Sequence, residues 1–181
     1  ATLMAASCRS GQAPSLLDVD KDELAHGRGR VIRHTTLGKT LPNDASIAKP
    51  DPATSRQLVS SGNPAHEMTV LVVDAKSKRE QPDGEIGEIW LAGPSVTSGY
   101  WKRESVNAEV FGATLADGDP AEKFLRTGDL GFIHDGEVYV TGRSKDVVIL
   151  RGRNLFPQDI EATVKGLLQA NVLQCAALAT T

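Results

Sequence analysis

The feature that most constrains the fold is an Asp-Gly dipeptide, Asp135-Gly136, inside the stretch RTGDLGFIHDGEVYVTGRSKD, residues 126–146. Asp-Gly between two alternating apolar segments is the strongest short-range signal for a two-residue β-hairpin. The strands of a hairpin run antiparallel, so their outer ends lie side by side. Because Asp129 lies six residues before the turn pair and Arg143 seven after it, we predict that both residues flank the same end of the hairpin.

The residue types at this end of the hairpin suit a nucleotide. Asp129 lies between Gly128 and Gly131, and glycines let the backbone turn sharply and let a ligand approach closely. A carboxylate accepts hydrogen bonds from the paired hydroxyls of a ribose, and the guanidinium of Arg143 suits an anion. A nucleotide monophosphate fits this pattern. The alternative is two structural residues: an aspartate that bonds its own turn and a surface arginine at a strand end.

The composition is that of a globular chain. Of its 181 residues 40% are hydrophobic and 24% charged, which predicts a soluble domain with a core. The net charge of −3 and the 4% aromatic content argue against a nucleic-acid surface. No apolar run reaches the roughly 20 residues of a membrane helix, and the first residues do not form a signal peptide. Cys8 and Cys175 lack metal-type spacing, so we predict free thiols in a reducing, cytoplasmic compartment.

The second half of the chain is predicted to be mostly β. The segments MTVLVVD and EIGEIWLAG are short, β-branched and bounded by turn formers. SVNAEVF is predicted to be a short helix, and VVILRG another strand. In NLFPQDIEATVKGLL, Pro157 suits the first turn of a helix, whose apolar stripe is formed by Ile160, Val164, Leu167 and Leu168. The tail VLQCAALAT is predicted to begin one more strand.

The first third is predicted to be a polar excursion at about residues 9–60. A short helix is expected over residues 21–26, with Asp18 or Asp20 as its cap. Residues 33–57 contain three prolines and few large apolar side chains, a composition that suits the surface better than the core. The whole pattern predicts an α+β fold that is mostly β. It consists of a distorted antiparallel β-barrel subdomain, a hinge, and the first strand–turn–helix of a small C-terminal domain.

Other polar residues give weaker signals. Lys145 and Asp146 lie between two β segments, where either a solvated turn or a hinge is expected. The four histidines show no metal-like spacing with one another or with cysteine, so they are interpreted as surface or structural residues. The chain contains neither the Gly-x-Ser-x-Gly elbow of a hydrolase nor a Walker-type phosphate loop.

Two long stretches, GEIGEIWLAGPSVTSGYW and FLRTGDLGFIHDGEVYVTGRSKDVVILRGRNLFPQDIE, closely resemble the adenylate-forming superfamily of acyl-CoA synthetases, luciferases and peptide-synthetase adenylation domains. The form RGRNLFPQDIEATV is most similar to the fatty acyl-AMP ligase branch. The resemblance covers residues 82–164 strongly and residues 1–81 more weakly. It implies an enzyme that converts a fatty acid and ATP to acyl-adenylate and pyrophosphate. Such an enzyme then passes the acyl group to an acyl carrier protein of a polyketide or lipopeptide system.

The resemblance also implies roles for particular residues. Asp129 would bind the ribose hydroxyls of ATP and of the adenylate, Arg143 would contact the ribose–phosphate side, and Val140 would line the adenine pocket. Lys145 would lie in a hinge, residues 144–146, between the last subdomain of the N-terminal domain, residues 1–143, and the start of the C-terminal domain, residues 147–181. The excursion would correspond to an insertion that restrains domain rotation and disfavours thioester formation with coenzyme A.

The same resemblance places the rest of the active site outside these residues. The phosphate loop and the glutamate that helps to hold magnesium are expected upstream, and the lysine that drives adenylation is expected downstream. We therefore expect a fragment of a longer protein with no catalytic residue and no metal ligand of its own, and weak or no nucleotide binding in isolation. The alternatives are an acyl-CoA synthetase, a peptide-synthetase adenylation domain, or a non-catalytic partner-binding module.

Overall fold

The computed structural model describes residues 5–8, 11–36, 50–167 and 176–177. Fourteen short elements follow one another along these residues. In chain order they are β1 (Ala6–Ser7), β2 (Ser15–Asp20), α1 (Lys21–Ala25), β3 (Val31–Thr36), β4 (Ser55–Val59), β5 (Asn63–Pro64), β6 (Thr69–Val73), β7 (Gly87–Ala92), α2 (Glu104–Val110), β8 (Leu125–His134), β9 (Glu137–Arg143), β10 (Val148–Leu150), β11 (Arg153–Leu155) and α3 (Pro157–Leu167).

The largest sheet has four antiparallel strands in the order β6-β7-β8-β9. Its β8–β9 hairpin turns at Asp135 and Gly136, whose φ angles are 51° and 75°. Positive φ at both central residues is what a type I′ turn requires, and it matches the right-handed twist of the strands. The hairpin predicted from the Asp-Gly pair is therefore confirmed.

A second sheet of three antiparallel strands, in the order β3-β2-β4, lies in the region predicted to be a polar excursion. Residues 33–36 and 55–57 of the segment predicted to lie at the surface belong to strands β3 and β4, and of the described residues in 33–57 only Ser55 is buried. Strand β2 was also missed, although Leu17 and Val19 within it are completely buried. The helix expected over residues 21–26 is confirmed as α1. Of its two proposed caps, Asp20 accepts hydrogen bonds from the amides of the first turn.

The core lies between these two sheets. Leu17, Val19, Leu24 and Leu58 from the first part of the chain pack against Phe132, Tyr139 and Phe156. The rings of Phe132 and Tyr139 stack with their centroids 5.5 Å apart. Burying one such side chain contributes about 1.5–3 kcal/mol, so this shared cluster is a strong reason for the two sheets to stay together.

The segment that follows the hairpin is fastened to the same core. Phe156, at the start of α3, is only 2% exposed. The guanidinium of Arg56 lies over its ring, 5.3 Å from the centroid, and 3.6 Å from the Asp159 carboxylate. Burial lowers the pKa of Arg56, and the charge of Asp159 partly compensates. Arg153 also pairs with Asp22 of α1.

The mostly β, α+β fold predicted from the sequence is confirmed. The described residues form four open sheets. The region predicted to be a distorted barrel therefore consists of sheets that pack together but do not close. Helices α2 and α3 lie where they were expected, and α3 begins at Pro157 as predicted. Leu168, Cys175 and most of the predicted tail strand lie outside the described residues. Cys8 has a free thiol. Among the described residues, no helix is both long and apolar enough to cross a membrane.

Candidate nucleotide site

The hairpin brings Asp129 and Arg143 directly opposite each other. They are register partners on β8 and β9, and a bulge lies at Leu130 and Gly131. The Nε of Arg143 donates a hydrogen bond of 3.0 Å to Oδ1 of Asp129. The prediction that the two residues share one end of the hairpin is confirmed.

The Asp129–Arg143 pair is open to solvent, with side-chain exposures of 33% and 68%. Exposed ion pairs contribute little to stability, typically about 0–1 kcal/mol. The arginine fork has five donors, of which this bond uses one. Both side chains therefore keep hydrogen-bonding capacity for a ligand.

The backbone around Asp129 is held more firmly than its side chain. The Asp129 amide donates to Oγ1 of Thr127 at 3.0 Å, and the Thr127 hydroxyl donates to the Ile89 carbonyl at 2.7 Å. Gly128 has a φ of 74°, and its carbonyl accepts from both the amide and the hydroxyl of Ser144. These bonds connect the backbone of residues 127–129 to β7 on one side and to Ser144, after β9, on the other.

A buried carboxylate, Glu88, organises this region and was missed by the sequence analysis. Glu88 is 4% exposed and accepts hydrogen bonds from the Trp90 indole, from Arg126 and from the Gly128 amide, at 3.0–3.1 Å. The Arg126–Glu88 ion pair has an N–O distance of 2.9 Å. The signal was present in the sequence, since an acid in the otherwise apolar strand GEIWLA needs a buried partner.

A cavity of about 660 Å³ opens beside the pair. Asp129, Val140 and Arg143 all line it, so the structure brings together three of the four predicted site residues. Val140 is 42% exposed, which leaves it free to contact a ligand. The remaining wall combines apolar side chains with polar ones: Ala5, Ala6, Val70, Ile89, Leu91, Tyr100, Phe111, Leu125 and Val138, together with Ser61, Ser95, Thr97, Arg126 and Thr127. A cleft with apolar walls and convergent polar groups is the usual form of a small-molecule site.

Two aromatic residues that the sequence analysis did not single out form part of this wall. Tyr100 and Phe111 meet edge to face, with centroids 5.3 Å apart. Asn107 of α2 fixes Tyr100, because its side-chain oxygen accepts from the Tyr100 amide and its side-chain nitrogen donates to the Tyr100 carbonyl. The short helix α2 therefore positions one side of the cavity.

Lys145 lies apart from the cavity. It is exposed in the turn after β9, where the Asp146 amide donates to the Arg143 carbonyl. Together with Asp146, Pro157, Gln158 and Glu161 it lines a smaller cleft between that turn and α3. Lys145 is therefore not among the residues that line the cavity.

One carboxylate faces the cavity among the residues that the structure describes. Asp129 is the sole carboxylate among those that line it, and Arg143 already contacts one of its oxygens. Mg²⁺ in nucleotide sites is usually held by one or two carboxylates together with phosphates and water. This carboxylate, which already pairs with an arginine, is the only one that the described wall offers to a ligand.

Comparisons with known proteins agree with this chemistry. The family model described as AMP-binding enzyme matches residues 35–101. The long-chain-fatty-acid–AMP ligase FadD26 of Mycobacterium tuberculosis is 39% identical over 168 residues, which is 91% of this chain and 26% of that protein. The medium-chain-fatty-acid–[acyl-carrier-protein] ligase JamA of Moorena producens is 44% identical over 142 residues, 76% of this chain and 24% of that protein.

Solved structures show the same relationship. A fatty acyl-adenylate ligase from Legionella pneumophila, in complex with acyl adenylate and pyrophosphate, superposes with a TM-score of 0.64 at 31% identity, over 98% of this chain and 28% of that one. The adenylation domain of a keto acid-selecting peptide-synthetase module gives a TM-score of 0.58 at 25% identity, over 92% of this chain and 26% of that one. The chain thus spans about a quarter of the length of the proteins it matches.

Proposed function

Because the chain is part of an AMP-binding enzyme related to the fatty acyl-AMP ligases, we propose that the complete protein activates a fatty acid with ATP and transfers the acyl group to an acyl carrier protein. The observation that carries the proposal is the Asp129–Arg143 pair at the edge of the cavity. The proposed compartment is the cytoplasm, where ATP is available.

The proposed reaction has two steps. A fatty acid carboxylate oxygen attacks the α-phosphorus of ATP, the bond to the β-phosphate oxygen breaks, and pyrophosphate leaves with its electron pair. The thiol of the carrier protein then attacks the acyl carbonyl carbon and releases AMP. In such reactions the protein mainly positions the reactants and stabilises charge.

In this scheme the residues of the chain hold the adenosine part of the nucleotide. The Asp129 carboxylate accepts hydrogen bonds from the two ribose hydroxyls, and Arg143 donates to the ribose–phosphate side. Val140 contacts the adenine. Since the Thr127 hydroxyl fixes the Asp129 amide, the carboxylate is placed before the ligand arrives, which lowers the entropy cost of binding.

Acceptor preference tests the proposed function. We expect the complete protein to catalyse fatty-acid-dependent ATP–pyrophosphate exchange and to load labelled acyl groups onto a carrier protein. Coenzyme A should yield at least about tenfold less thioester, because Arg56 of the excursion contacts Phe156 and Asp159 of the C-terminal segment and so opposes its rotation. Loading and acyl-CoA release are measured in parallel, without ATP as the control.

Efficient release of acyl-CoA would identify an acyl-CoA synthetase instead. Exchange that depends on an amino acid or keto acid rather than a fatty acid would identify a peptide-synthetase adenylation domain. No exchange with any carboxylic acid would favour a non-catalytic, partner-binding module. The three results are separated by the same two assays.

We also propose that the turn at residues 144–146 is the hinge for rotation of the C-terminal domain. Lys145 is exposed, and the turn directly follows Arg143. Arg56 pairs with Asp159, and Asp22 pairs with Arg153, both in the segment after the turn. These contacts support a well-defined resting orientation of that segment relative to the first part of the chain. Rotation about this turn would have to break these contacts, which gives the excursion a physical means of restraining it.

Replacing Lys145 with proline is expected to separate the two steps. Proline fixes φ near −65°, so the turn is locked close to one conformation. We expect acyl-carrier loading to fall by about tenfold or more, while fatty-acid-dependent pyrophosphate exchange stays within about threefold of wild type. Lys145→Ala, which removes the charge without fixing φ, is the matched control and should affect neither step. An equal loss of both steps in the proline variant contradicts a hinge at this position.

A further inference from the structure

Two histidines and an aspartate, residue types that can ligate a metal, cluster at the tip of the β8–β9 hairpin, away from the cavity. Nδ1 of His34 is 3.9 Å from Oδ2 of Asp135, and Nε2 of His134 is 3.5 Å from the same oxygen. The two imidazole rings meet edge to face with their centroids 6.0 Å apart. One ligand atom from each residue lies within 4.8 Å of the other two.

These separations are close to those of a zinc site. Zn–N and Zn–O bonds of about 2.0–2.1 Å in tetrahedral geometry place neighbouring ligand atoms about 3.4 Å apart. Each ligand atom of the cluster therefore needs to move by about 1.4 Å or less to reach this arrangement. All three side chains are at least partly exposed, at 40% for His34, 30% for His134 and 72% for Asp135. They are therefore free to make this adjustment, and an ion has access to them.

The backbone places the ligands on ordered elements. His134 is the last residue of β8, and Asp135 is fixed by its left-handed turn conformation. The Asn63 side chain donates to the Gly136 carbonyl at 3.0 Å and holds the turn from outside. His34 comes from the other sheet, on strand β3, 100 residues earlier in the chain. This distance explains why sequence spacing did not indicate a metal site.

We propose that His34, His134 and Asp135 bind one Zn²⁺ ion, with water in the fourth position. Two imidazoles and a carboxylate form a common zinc ligand set. The ion connects β3 to the hairpin tip and so joins the two sheets at their edge. It lies about 16 Å along β8 from Asp129, given about 3.3 Å per residue. The proposed ion is therefore independent of the proposed adenylation.

Titration of the chelator-treated, complete protein with ZnCl₂ tests the site. Calorimetry is expected to give one strong site per chain in addition to any sites elsewhere in the protein. His134→Ala and Asp135→Asn should each weaken that site by about tenfold or more, as loss of a ligand does. Asparagine tolerates the left-handed conformation of position 135, so the second variant removes the charge and keeps the turn. His66→Ala, at an exposed histidine outside the cluster, is the matched control.

A second measurement separates zinc binding from a purely structural effect. Zn²⁺ should raise the Tm of the wild-type protein and of His66→Ala by clearly more than that of His134→Ala, because stabilisation grows with the affinity of the ligand for the native state. MgCl₂ at the same concentration should have no such effect. Zinc binding that is equally tight in wild type, His134→Ala and Asp135→Asn overturns the proposal. So does the absence of any zinc-dependent Tm shift in the wild type. Neither outcome affects the adenylation assays.

Discussion

Asp129→Ala in the complete enzyme is expected to lower the rate of acyl-adenylate formation by about tenfold or more. Hydrogen bonds to a charged group contribute about 1.5–3 kcal/mol each, and each 1.4 kcal/mol corresponds to a factor of about ten in rate. Loss of the bonds to the ribose hydroxyls leaves the α-phosphate less well oriented toward the fatty acid. Fatty-acid-dependent ATP–pyrophosphate exchange measures the effect directly.

The matched control is Asp83→Ala, which removes an exposed aspartate from the turn before β7. It should leave the exchange rate unchanged. The Tm of Asp129→Ala should stay close to that of the wild type, because its ion pair with Arg143 is exposed. Exchange rates like those of the wild type in Asp129→Ala would exclude this residue from nucleotide binding, and the structural-turn interpretation would then stand.

The hairpin was predictable because its signal is local. Asp135 and Gly136 specify the turn. The turn fixes the strand register, which places Asp129 opposite Arg143. No tertiary information is needed for this step. The chemistry of the pair then follows from the residue types alone, and its relation to a nucleotide from the resemblance.

The first third of the chain was harder to predict because its strands are stabilised by partners far away in sequence. Strand β2 contains Asp18, whose carboxylate accepts a hydrogen bond of 2.7 Å from Arg33. That cross-strand pair lets an acid lie almost fully buried in the sheet, so the polar composition that suggested a loop was misleading. The apolar side of the same strand packs on Phe132, more than 100 residues later.

The cavity wall and the zinc cluster were missed for a similar reason. Tyr100 reaches the cavity because Asn107 holds it, a contact that sequence periodicity does not reveal. His34 and His134 become neighbours only when the two sheets pack. Local patterns therefore predicted α1, most elements of the second half of the chain and one pair of site residues, whereas tertiary packing determined the first sheet and the rest of the site.

Glu88→Ala is expected to destabilise the protein by about 2–4 kcal/mol, because it leaves donors in a buried region without their acceptor. The change leaves the Trp90 indole, the Gly128 amide and the Arg126 guanidinium without their acceptor. The first two are in or beside buried strands, where an unsatisfied donor costs about 1–3 kcal/mol. Urea denaturation of the complete protein measures the loss, and Glu122→Ala, at an exposed position, is the control.

A double-mutant cycle distinguishes this network from simple packing. If the ion pair matters, Arg126→Ala combined with Glu88→Ala should cost clearly less than the sum of the two single changes, with a coupling of about 0.5–3 kcal/mol. Additive effects would show that Glu88 acts mainly as a space-filling side chain. The Gly128 amide donates to Glu88, and Gly128 directly precedes Asp129. Glu88→Ala alone should therefore also raise the KM for ATP. Glu88 would then be a positioning residue, because it holds Gly128 and thereby the backbone of Asp129 in the nucleotide site.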